Sequence, residues 1–96
     1  MTDFVLEDGT ATVVPRGELD LATISPVRDA TEAAIDAGAR TLVFDLGDVT
    51  FLDSSALAVF AQAAQRVERV VLRRPTRIVR QVITSTGLDQ VLALEQ

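Results

Sequence analysis

Cysteine, histidine and lysine are absent from this 96-residue chain, and each absence removes a class of chemistry. Without cysteine there is no disulfide framework, no thiolate metal site and no thiol redox couple. Without histidine neither a Ser-His-Asp triad nor an imidazole metal site can be assembled. Without lysine no Schiff base forms and no lysine activates a serine. Walker and Gly-x-Gly-x-x-Gly sequences are missing too, so no cofactor-binding motif is present and none is expected. No run of about 18 apolar residues offers a membrane span. The first ten residues, MTDFVLEDGT, carry acids where a signal peptide has basic residues. The expectation is a cytoplasmic protein with no direct membrane insertion.

What is present describes one small globular domain, expected to span residues 1–96. The chain has a mass of 10.3 kDa, 48% hydrophobic and 24% charged residues, too little for a second independent core. Its net charge of -5 argues against nucleic-acid binding, which calls for a basic face. The charge is uneven: residues 1–53 hold eleven acids and three arginines, residues 54–96 three acids and six arginines. The seam falls at Asp53-Ser54-Ser55. Arg73, Arg74, Arg77 and Arg80 read as a solvated face or as a surface for an acidic partner.

Hydrophobic spacing predicts the order strand, strand, helix, strand, helix, strand, helix and a small terminal element. Phe4–Leu6 and the run ATVVPRG flank Asp8-Gly9, the residue pair of a tight hairpin, and Pro15 places the second strand near an edge or its end. Thr23, Ser25 and Pro26 mark a helix start. Ile24, Val27, Ala30, Ala34 and Ile35 recur at helical spacing to about Ala37, where Gly38 closes the helix. TLVFDL, residues 41–46, reads as a central strand covered on both faces. Leu57, Phe60, Ala61 and Ala64 predict a second helix ending near Gln65. VVLRR is a further strand, Pro75 and Thr76 open a third helix to about Ser85, Gly87 is its left-handed cap, and VLAL ends the chain. Strands alternating with helices imply an α/β layer.

Two short stretches are candidates for function. In Asp53-Ser54-Ser55, Ser54 reads as the cap of the second helix, worth about 1 kcal/mol. A serine at the positive end of a helix dipole is equally a place where a phosphate is tolerated. Gly17-Glu18-Leu19-Asp20 alone is a loop with two solvated acids. A paired-carboxylate hydrolase using Asp20, Asp45 or Asp53 is formally open, although acids are common at helix starts and turns. The expectation is a non-enzyme.

The ordered set of GELD, Thr23, an amphipathic helix, VFDL, FLDSS, an apolar helix and Thr86-Gly87-Leu88 resembles the STAS domain, and specifically the small bacterial anti-sigma-factor antagonists. The resemblance covers nearly the whole chain. It implies an α/β fold: a single STAS-like domain with a small mixed sheet of four to five strands and helices packed largely on one face. It further implies a partner that is an anti-sigma factor with serine kinase activity. Phosphorylation of the serine after the motif aspartate, here Ser54 with Ser55 as second choice, would end binding, and a metal-dependent serine phosphatase would restore it. Glu18, Asp20, Thr23, Asp53, Ser54 and Ser55 are the implied partner-binding residues. Ala56-Leu57-Ala58 stands where that family usually has Gly-Leu-Gly, a change that favours helix. A STAS subunit of a lipid-transport ABC complex, acting as an assembly component, is the alternative. A nucleotide or lipid sensor has no dedicated residue in the sequence.

Overall fold

The computed structural model describes residues 4–95, so the expected domain limits, Met1 and Gln96, lie outside the described residues. The chain opens with a hairpin of β1 (Phe4–Glu7) and β2 (Thr10–Val13). Asp8 and Gly9 both have positive φ, 52° and 81°, the conformation that a two-residue turn needs to match strand twist. Then follow β3 (Gly17–Leu19), α1 (Ser25–Asp36), β4 (Thr41–Asp45), β5 (Val49–Leu52), α2 (Ser54–Ala64), β6 (Arg69–Arg73), α3 (Arg77–Ser85), a 3-10 turn at Leu88–Gln90 and β7 (Ala93–Glu95).

Five strands form a mixed sheet in the order β1-β2-β4-β6-β7, with only the β1–β2 pair antiparallel. The crossovers through α1, α2 and α3 all step in the same direction along this sheet. With the common right hand of such crossovers, all three helices fall on one face. Burial agrees: Ala11, Val13, Leu42, Phe44, Val70 and Leu72 share that face by register and join Val27, Ala34, Phe60, Ala63, Val79 and Ile83 in one core. Phe44 and Phe60 meet at its centre, ring centroids 4.7 Å apart and tilted by 48°.

Three expectations differ from the structure. β4 has helices on one face only; Val43, on the other, is buried outside the core cluster, with Thr12 and Val71 as its neighbours by register. Of the two placements that Pro15 allows for β2, the structure has the second: β2 is an inner strand and Pro15 follows its end. The start of α1 is capped by no side chain: Ile24 holds the N-cap position and Pro26 the first turn, while Thr23 folds back on the preceding loop. Third, two short strands are additional to the expected order: β3, in the GELD stretch expected to be a loop, and β5. They pair in parallel as a separate two-stranded sheet. Gly38 and Gly87 take the positive φ expected of them, 99° and 78°. Among the described residues no helix is long and apolar enough to cross a membrane.

Candidate functional site

The small β3–β5 sheet brings the two motifs together. Its register aligns Glu18 with Phe51 and Leu19 with Leu52, and the Asp53 amide extends the ladder by donating to the Leu19 carbonyl at 3.1 Å. Gly17, at φ 74°, sits at a register shift and donates to the Asp48 carbonyl at 2.9 Å. Leu19 and Leu52 are buried, while Glu18 and Phe51 share the solvent side. The chain therefore leaves both strands at one end, Asp20 from the first and Asp53 from the second.

Asp20 organises a tight turn. One carboxylate oxygen accepts from the amides of Ala22 at 2.9 Å and Thr23 at 3.0 Å. The Asp20 carbonyl accepts from the amides of Thr23 and Ile24. The Thr23 hydroxyl donates to the Glu18 carbonyl at 2.7 Å and accepts from the Asp20 amide at 2.9 Å. Aspartate suits this role because its short carboxylate reaches amides two and three residues ahead. GELD with Thr23 is thus a strand end locked into a turn.

Asp53, and not Ser54, caps α2. Its backbone is extended, and its carboxylate accepts from the Ser55 amide at 2.8 Å. Ser54 becomes the first helical residue, because aspartate one position earlier reaches the second amide of the helix, the usual capping geometry. The Ser54 side chain is exposed, and among the described residues its hydroxyl has no hydrogen-bond partner. Ser55 is half-buried. Ala56 is fully buried, and its methyl lies in the core.

The three carboxylates considered for hydrolysis have separate duties. Asp20 holds its turn and Asp53 caps α2. Asp45 accepts from the Gly47 amide at 3.1 Å and pairs with the Arg74 guanidinium at 2.9 Å. Arg73 pairs with Glu95 at 2.9 Å, so two of the four arginines of the basic segment are held by acids of this chain. Arg77 and Arg80 lie on α3.

Sequence reasoning missed two exposed apolar side chains here. Leu21, at the tip of the Asp20 turn, is 77% exposed, and Phe51 is 47% exposed. VTFL alternates with no clean period, its buried ends enclosing an exposed pair, so no pattern marks Phe51 as outward-facing.

Solved structures share this architecture. An anti-sigma factor antagonist from Mycobacterium paratuberculosis is 30% identical with a TM-score of 0.84, covering 99% of this chain and 84% of that one. The anti-sigma factor antagonist SpoIIAA in its unphosphorylated form is 24% identical with a TM-score of 0.82, covering 100% of this chain and 89% of that one. The Bacillus cell fate determinant SpoIIAA in the phosphorylated form is 22% identical with a TM-score of 0.74, covering 100% and 92%. By sequence, no curated protein matches the chain. The STAS domain model matches residues 3–96, nearly the whole length, and the chain belongs to the STAS domain family.

Proposed function

We propose that this chain, as one domain over residues 1–96, is a cytoplasmic, non-enzymatic anti-sigma-factor antagonist. It binds an anti-sigma factor with serine kinase activity, and phosphorylation at Ser54 releases that partner. The observation that carries the reading is the convergence of the Asp20 turn and the Asp53-capped helix on one end of the small sheet, with the Ser54 hydroxyl exposed and free beside them. A kinase needs an accessible hydroxyl, and the Ser54 side chain is exposed. Relatives of this architecture include antagonists in unphosphorylated and phosphorylated forms.

The charge balance explains how such a switch would work. A phosphoserine adds a charge of about -2. Neither segment of the site, 17–27 or 41–65, contains an arginine to receive it. The Asp53 carboxylate already accepts from the Ser55 amide, one residue away. The new charge therefore meets whatever is docked. Against another anion about 6 Å away, at an effective dielectric near 20, repulsion is roughly 3 kcal/mol per unit charge before screening. About 1.4 kcal/mol is tenfold in affinity, so half of that suffices. In a kinase the facing anions are the nucleotide phosphates. A metal-dependent serine phosphatase would reset the site.

The test is a pull-down from a lysate of the native organism with adenine nucleotide present, wild type and Ser54→Asp serving as paired baits. Retention of a kinase-like ATP-binding protein by wild type, and its loss with Ser54→Asp, supports the switch. Equal recovery of transporter ATPase and membrane subunits by both baits would replace it with the assembly role.

A further inference from the structure

We infer that Leu21 and Phe51 are the apolar anchors of the partner-docking surface, and that the surface they fit is an apolar socket bordered by cationic side chains. This deepens the proposed function and rests on it. The core takes in most large apolar side chains, yet these two are left in solvent at the end of the molecule that carries Ser54. Phe51 lies beside Glu18 on the solvent side of the small sheet, three residues before Ser54. Leu21 follows Asp20, whose strand is paired to the one that leads into Asp53.

Both anchors are held in place before a partner arrives. Leu21 sits within the turn closed by the Asp20 carboxylate on Ala22 and Thr23 and by the Thr23 hydroxyl on the Glu18 carbonyl. Phe51 is fixed by strand pairing between buried Val49 and Leu52. A backbone already ordered loses little freedom on docking, and large apolar groups at an interface centre carry most of the affinity.

Charge selects the occupant. Glu18, Asp20 and Asp53 border the two anchors, against one nearby arginine, Arg77, which shares a hollow with Val49 and Thr50, so the complementary rim is mainly cationic. A kinase that holds nucleotide phosphates with cations offers that rim, and it explains the opposite effect of a phosphate on Ser54. A phosphate added to the hydroxyl enters the position of the nucleotide phosphates, whereas the flanking carboxylates meet the cations around them.

The test titrates the kinase retained by wild type, purified and loaded with a non-hydrolysable ATP analogue so that Ser54 stays unmodified, against wild type, Leu21→Ala, Phe51→Ala and Val91→Ala. Val91 is 60% exposed and equally apolar, but it lies in the turn before β7, beside the start of β6, at the opposite end of the sheet. The expected result is affinity lowered at least about tenfold by Leu21→Ala and by Phe51→Ala, and less than about twofold by Val91→Ala. Leu21→Ala is the more exposed change and should leave the melting temperature unaltered, which separates docking from folding. Wild-type affinity in both site variants would overturn the inference while leaving the proposed function intact. Self-association of wild type that Phe51→Ala abolishes would overturn it in favour of a second copy as occupant. Failure of wild type to retain any such kinase would remove both.

Discussion

The Asp53 amide donates to the Leu19 carbonyl across the small parallel sheet, 3.1 Å from nitrogen to oxygen. That bond sits where the two motifs leave their strands, and it makes Asp20 and Asp53 neighbours in space. Without the β3–β5 pairing the GELD turn and the serine would be unrelated loops. With it, one rigid end of the fold presents a turn, a helix start and a free hydroxyl.

Asp53 carries a cap and a charge, and substitution can separate them. Asp53→Ala leaves the Ser55 amide without its acceptor and should cost about 1 kcal/mol, lowering the melting temperature by about 4–8 °C. Asp53→Asn keeps an acceptor at the N-cap and should melt near wild type. Thermal denaturation of the pair checks this; equal losses in both would show that the carboxylate charge, and not the cap, supplies the stability.

Thr23 is expected to act on the loop more than on the core. Thr23→Val keeps the shape but removes the bond to the Glu18 carbonyl and the acceptor for the Asp20 amide. A neutral hydrogen bond is worth about 0.5–1.5 kcal/mol net. Hydrogen exchange should quicken at the amides of residues 20–24 while those of β4 and β6 keep their protection. Uniform loss of protection would contradict a local role.

Gly47 lies under the Arg74 guanidinium. A Cβ added there would come within 2.7 Å of it, so Gly47→Ala has to push the arginine off Asp45. Arg74 itself has φ 52°, a left-handed conformation that a non-glycine residue holds at a cost. Gly47→Ala should destabilise by at most about 1 kcal/mol in the wild-type background, on the scale of a partly exposed ion pair, and by less in Arg74→Ala. A chemical-denaturation double-mutant cycle measures the coupling, and additive effects would show that the clamp does not exist.

How much of this was legible in the sequence follows from length and locality. Helices of nine to twelve residues show their period, and Asp8-Gly9, Gly38 and Gly87 announced their backbone geometry, so three helices and the main sheet could be read directly. The strands β3 and β5, of three and four residues, are too short for a period of two to show, and their pairing is between distant segments. That hid the device that joins the two motifs. The cap of α2 is Asp53 and not the expected Ser54 because aspartate and serine are both good caps, and only the backbone decides which is used. Glu18, Asp20, Thr23, Asp53, Ser54 and Ser55 stand out only through the resemblance to STAS domains, and the exposure of Leu21 and Phe51 depends on tertiary packing alone.

The most direct test of the central claim is to map the phosphate. The purified chain is incubated with the kinase it retains, ATP and magnesium, and the modified residue is located by peptide mass spectrometry. The account predicts one phosphate, on Ser54, and none in Ser54→Ala. A phosphate confined to Ser55 or to a residue outside the Asp53–Ser55 segment, or none at all, would contradict it.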